Sequence, residues 1–197
     1  MAGMFRRGVA GCVWVGLGWR GEVIMLEIEL DGLHGRAQAR ADATPELRRS
    51  MRGAQGNEVG AMGELVAMRY LDAHGVLYLD EGKVNHDLRT AHGTMDVKTK
   101  ERSVVPQPHY DCTVPDYVGD AQKPDWYLFV SLLSDGSGGC GRFKRGWVLG
   151  TIRREEFYRA ATEWRPGVKD VSNGWEATIK CWNVRVSALR QPKPLVS

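Results

Sequence analysis

Residues 87–100 read D-L-R-T-A-H-G-T-M-D-V-K-T-K: two short extended runs either side of a turn at His92-Gly93. Asp87 begins the first run. In the second, alternation puts Asp96, Lys98 and Lys100 on one face and Met95 and Val97 on the other. Two carboxylates and a lysine are thereby brought together at the end of a hairpin. Oxygen ligands of this kind suit hard divalent cations. A cation held there would neutralise charge on a phosphodiester and lower the pKa of a bound water.

Upstream, residues 56–71 read G-N-E-V-G-A-M-G-E-L-V-A-M-R-Y-L. Ala61, Leu65, Met68 and Leu71 recur at helical spacing, which predicts a helix from about Glu58 to Ala73 with Gly75 closing it. Glu64 lies on or beside this apolar stripe. A carboxylate turned toward the interior needs a partner, and a cation is one such partner.

Glu64, Asp87 and Asp96-Val97-Lys98 together resemble the PD-(D/E)XK nuclease superfamily. That family carries a helix glutamate, an Asp at the start of the second core strand and (D/E)-X-K on the third. The order and short spacing match over roughly residues 55–150. The proline that usually precedes the first Asp is replaced by His86.

The resemblance implies an α/β fold with a restriction-endonuclease-like core, a central mixed β-sheet flanked by helices. It implies a Mg2+- or Mn2+-dependent nuclease acting on DNA, with endonuclease, exonuclease and junction-resolvase action all open. Asp87, Asp96 and the Val97 carbonyl would be metal ligands. Glu64 would act through water or on a second ion, and Lys98 would stand near the attacking water. Lys100 would contact a phosphate, and Arg102, Arg49 and Arg52 are further candidate DNA contacts. Many such nucleases act as homodimers. A catalytically inactive DNA-binding or assembly module, and a small phosphohydrolase, are the alternatives.

The bulk properties fit this class without specifying it. A chain of 197 residues builds one domain with a sizeable core. A net charge of +3 permits nucleic-acid binding but does not demand it. Arginines cluster before the helix (Arg36, Arg40, Arg48, Arg49, Arg52), and a second basic group follows (Arg142, Lys144, Arg145, Arg153, Arg154). Either could meet phosphates or simply form a solvated face. Cys12, Cys112, Cys140 and Cys181 form no C-x-x-C pair and read as free thiols of a cytoplasmic protein, bacterial or phage-borne. The compact domain without a recognition module fits phage or mobile-element DNA processing.

Other motifs fail on context. Gly16-Leu17-Gly18-Trp19-Arg20-Gly21 is a formal G-x-G-x-x-G, but the strand pattern of Leu26, Ile28 and Leu30 follows where a helix is required. His86-Asp87 lies in a strand context, unlike the helical H-D phosphohydrolases. His74, His86, His92 and His109 match no compact zinc spacing. No phosphate-binding G-x-x-x-x-G-K-[ST] loop is present.

Residues 1–24 read as an N-terminal extension, 25–190 as a single domain and 191–197 as a tail. Strands are expected at 25–30, 76–79, 84–88, 94–99, 125–133, 147–152 and 177–186. Helices are expected at 45–52 and 151–164 besides the Glu64 helix. Residues 31–44 and the proline-rich 101–124 read as loops. Tyr110, Tyr117 and Trp126 offer stacking surfaces for bases.

Overall fold

The computed structural model describes residues 12–13, 23–44, 54–83, 85–116, 123–171 and 174–193. The expected helix at 45–52, with Arg48, Arg49 and Arg52, lies outside the described residues, as do Tyr117 and most of the N-terminal extension.

The strands are β1 (Cys12–Val13), β2 (Leu26–Ile28), β3 (Tyr78–Lys83), β4 (His86–Thr90), β5 (Gly93–Arg102), β6 (Asp111–Pro115), β7 (Trp126–Ser134), β8 (Phe143–Arg153), β9 (Thr162–Trp164) and β10 (Cys181–Arg185). The helices are α1 (His34–Ala43), α2 (Ala54–Ala73) and α3 (Arg154–Ala160). Among the described residues, seven strands form one mixed sheet in the order β1-β2-β8-β7-β5-β4-β3. Within it β5 and β7 are parallel and the other neighbours antiparallel. A smaller sheet has the order β6-β10-β9.

The chain is therefore mixed α/β, with the large sheet between two layers. On one face Val97, Leu128, Val130 and Val148 pack with Leu33, Ala37 and Ala41 around α1 and with Met62, Leu65 and Val66 of α2. On the other, Tyr127, Phe129 and Leu149 pack with Phe157 of α3 and with Cys112, Val114 and Val184 of the small sheet. The central β7 is buried on both faces, which is why residues 126–132 read as a nearly unbroken apolar run.

Several expectations need correction. Residues 31–44 are not a loop, because α1 occupies His34–Ala43. Its inward face is made by Leu33, Ala37 and Ala41 at helical spacing, and alanine gives little hydropathy while favouring helix strongly. The stretch 101–124 is not all loop, since Cys112 and Val114 turn inward as β6 and pair with β10. The expected helix 151–164 ends at Ala160. Ala161 is extended, and Thr162 and Trp164 instead pair with Asn183 and Cys181. Tertiary pairing there overrides a good local helix pattern.

The helix that carries Glu64 begins earlier than expected, at Ala54. It ends as expected: Gly75 adopts a φ of 63°, and Val76 N–H donates to the Leu71 carbonyl at 2.9 Å. Beyond it, Lys193 binds back to α2, its carbonyl 2.7 Å from Nε2 of His74.

Candidate active site

The β4–β5 hairpin builds the centre of the site. Its register runs from Thr90↔Gly93 through Arg89↔Thr94 to Leu88↔Met95. Residues Ala91 and His92 form the turn. Its tip is stapled to β7: Asp125 Oδ2 accepts from the Thr94 backbone N–H at 2.7 Å and from Thr94 Oγ1 at 2.8 Å. These bonds hold the Asp125 carboxyl below the usual carboxylate range.

Past Met95 the ladder stops, and Asp87 takes over. Its Oδ2 accepts the Val97 backbone N–H at 2.7 Å. Asp96 pairs in register with Tyr127, Lys98 with Phe129 and Lys100 with Ser131. The three polar residues therefore lie on one face of β5, as the alternation predicts, while Met95 and Val97 belong to the core under α2.

Asp96 is buried, and Nζ of Lys98 lies 2.7 Å from its Oδ2. That oxygen receives no aligned hydrogen bond. Lys98 itself is mostly covered rather than the exposed strand lysine its position suggests, with a side-chain exposure of 17%. Burial, then the nearby charges of Asp96 and Glu64, push the Asp87 carboxyl up to about 8, against the opposing pull of the Val97 N–H and Lys98. An acid so displaced by burial and by the charge of a second, buried acid marks a place where a further negative charge lacks compensation.

Glu64 reaches this region from α2. Arg40 Nε donates to Glu64 Oε2 at 2.7 Å, and Arg40 Nη1 and Nη2 donate to Asp80 at 2.7 and 2.9 Å. Burial raises the Glu64 pKa, as do the charges of Asp80 and Asp96, while Arg40 opposes the shift. The bonds to Asp80 and Glu64 hold the Arg40 charge firmly in place. Arg40 and Asp80 were not legible as parts of this cluster. Arg40 read only as one of a basic group, and nothing in the spacing ties residue 40 to residue 80.

The four carboxylates Glu64, Asp80, Asp87 and Asp96 face two cations, Arg40 and Lys98. Ionised together, the four acids would exceed these cations by two charges, which is why Asp87 holds its proton up to about pH 8 and why a divalent cation could take that proton's place. Among the described residues, no three His, Cys, Asp or Glu side chains stand close enough to hold a metal ion as a ready-made cage. Glu64 is drawn to Arg40, and Asp87 to the Val97 N–H. A donor set of two carboxylates and a main-chain carbonyl does not need such a cage, because Mg2+ keeps several of its waters.

No protein-family model, curated protein or solved structure matches this chain.

The basic groups separate in the structure. Lys100 and Arg102 stay near the site, lining a groove of about 390 Å³ that begins at Lys98. Arg49 and Arg52 lie outside the described residues. The downstream group is engaged by protein partners: buried Arg142 pairs with Glu58 and Glu101, and the more exposed Arg145 and Lys144 pair with Glu27 and Asp135. Arg153 stacks over Trp126 and Arg154 over Tyr158.

His86 stands at the start of β4. It is buried, with its ring paired to Glu81. Tyr110 is covered by Arg102 at 4.9 Å. Cys112, Cys140 and Cys181 are free and buried, and burial pushes the Cys112 thiol up to about 12. No helix among the described residues is long and apolar enough to cross a membrane.

Proposed function

We propose that this chain is a metal-dependent nuclease that hydrolyses phosphodiester bonds in DNA. The observation that carries the reading is the pair Asp87 and Asp96 beside Lys98, where β4 and β5 part, with the Asp87 carboxyl held protonated by burial and by the charges of Asp96 and Glu64. In this reading α2 and strands β3, β4, β5 and β7 make up a restriction-endonuclease-like core.

Asp87, Asp96 and the Val97 carbonyl would hold Mg2+ or Mn2+, with Glu64 reaching it through water. When bound, the ion supplies charge neutralisation at the scissile phosphate and a more acidic water. The protein's residues do the rest. Lys98, kept close to Asp96, orients the attacking water and stabilises charge that develops on the phosphate. The Asp87–Val97 bond fixes one carboxylate against the strand that carries the other, so that little reorganisation is left for the reaction itself. Burial of Asp96 keeps bulk water from screening these charges. The buried free thiols fit a reducing cytoplasm.

The test is cleavage of linear, circular, single-stranded and four-way-junction DNA with Mg2+, Mn2+ or chelator, using Lys98→Ala as the control. Metal-dependent cutting lost in the variant supports the proposal.

One observation favours a second reading, a DNA-binding module without cleavage: Arg40 occupies the Glu64 carboxylate, which leaves the family's third acid engaged by protein. Tight DNA binding with no cutting of any substrate under any metal would select it.

A further inference from the structure

The groove beside the site has features that packing alone does not explain. It runs between the first turns of α2 and the part of β5 beyond Lys98, with the small sheet as its far wall. Lys100 and Arg102 project from β5 along it. Lys100 is half-buried, and its one hydrogen bond is a long 3.5 Å contact to Thr113 Oγ1. Arg102 donates from Nη2 to the Asp111 carbonyl at 2.8 Å, while its buried Nε has no partner. Among the described residues, neither cation forms an ion pair with a carboxylate. The nearest acid of the small sheet, Asp111, is engaged by Asn183. Desolvation and the neighbouring Arg102 pull the Lys100 pKa down. Asp111 lies near enough for its charge to act on both, but no carboxylate among the described residues pairs with either directly, and two such part-buried cations lower their free energy by binding an anion.

The helix wall adds a second observation. Gly56 and Gly60 line the groove one turn apart. Glycine within a helix is unfavourable relative to alanine. At Gly63 the reason is packing, since an added Cβ would lie 1.8 Å from Thr99 Oγ1. At Gly60 an added Cβ would meet nothing within 4 Å. Packing does not require a glycine there, but an open groove does. The outer rim carries Trp175, a flat surface with 38% exposure.

We infer that this groove is the binding track for a single-stranded polynucleotide segment, with a backbone phosphate held by Lys100 and Arg102 and a base stacked at Trp175. The proposal rests on the nuclease reading for its direction: the track leads away from Lys98, so the bound segment flanks the scissile phosphate. A cleft of about 390 Å³ takes a nucleotide-sized piece of one strand and not a duplex. The preferred substrate is therefore single-stranded DNA or a frayed end.

The test uses the full chain in chelator and a fluorescein-labelled oligothymidylate of about eight nucleotides, within the span of known single-strand sites. Anisotropy is measured against the same sequence as a duplex. Gly60→Leu fills the groove from a position where an added Cβ meets nothing within 4 Å. Lys100→Gln removes one phosphate contact and keeps the side chain's bulk. The wild type should bind the single strand at least about tenfold more tightly than the duplex. Gly60→Leu should lose that preference with an unchanged or higher melting temperature. Lys100→Gln should weaken binding about tenfold and reduce the salt slope by about one.

Equal binding by wild type and both variants, or a preference for duplex, overturns the proposal. A cleavage assay on the same preparations separates it from the nuclease reading. Cutting of single strands by Gly60→Leu at the wild-type rate removes the groove and leaves the nuclease. Groove-dependent binding by a wild type that cuts nothing keeps the groove and removes the nuclease.

Discussion

Oδ2 of Asp87 accepts a hydrogen bond from the backbone N–H of Val97 at 2.7 Å. This bond stands where the β4–β5 ladder stops, so a side chain satisfies a strand donor that the neighbouring strand no longer reaches. It ties one candidate ligand to the residue that follows the other.

Asp87→Asn keeps an oxygen for the Val97 N–H and removes the charge. The metal-free fold should survive, and Mn2+ affinity should fall far more than DNA affinity. Titration calorimetry with Mn2+ checks this; an unchanged affinity would remove Asp87 from the metal site.

The raised Asp87 pKa makes a signed prediction. Its folded value of about 8 lies above the usual carboxylate value of 3.8, so across that window the folded state binds a proton that the unfolded state has released. Stability from this group is complete at low pH and is lost as pH rises from about 4 to about 8. Glu64 shifts in the same direction. The melting temperature of the metal-free protein should therefore fall between pH 5 and 8, and Asp87→Asn should flatten the slope. Mn2+ must displace the same proton, so its affinity should grow about tenfold per pH unit below 8. A melting temperature that climbs with pH over this range would contradict the assignment.

Removing Lys98 leaves Asp96 buried beside Asp87 with no cation of its own. Loss of one partner from a fully buried pair costs about 3–5 kcal/mol, and less where water still reaches it, as at Lys98. Lys98→Ala should abolish cleavage and lower the melting temperature of the metal-free protein by several degrees. Mn2+ should restore much of that loss by neutralising the acids. Circular dichroism melts with and without metal measure both effects, and a variant that retains full cleavage would remove Lys98 from catalysis.

Two glycines of α2 should respond oppositely to one substitution. Gly63→Ala drives a methyl into Thr99, an overpacking that costs about 1–3 kcal/mol. Gly60→Ala meets open space and should stabilise the helix by about 1 kcal/mol. A domain of this size shifts by about 2–4 °C per kcal/mol, so the two melting temperatures should separate clearly. Equal shifts would show that α2 does not sit against β5 as described.

The hairpin, the Glu64 helix and the buried β7 were legible because each rests on a local period: alternation, helical spacing, or an unbroken apolar run. Helix α1 escaped because Ala37 and Ala41 bury little area and leave a polar-looking sequence. Strand β6 escaped because two inward residues, Cys112 and Val114, sit among prolines, and its partner β10 lies about seventy residues away in the chain. Thr162–Trp164 belongs to a strand for the same non-local reason. At the candidate site, strand alternation put Asp96 and Lys98 on one face, and the hairpin brought Asp87 to the same end. The Arg40–Glu64–Asp80 linkage joins three separate elements, and no local pattern announces a contact of that kind.

The most direct measurement is cleavage of DNA by purified wild-type protein and Lys98→Ala, each with Mg2+, Mn2+ or chelator. The account predicts cutting that requires the metal, is absent in the variant and is fastest on single-stranded or frayed ends. Cutting that persists in chelator or in Lys98→Ala, or no cutting of any DNA with either metal, would contradict it.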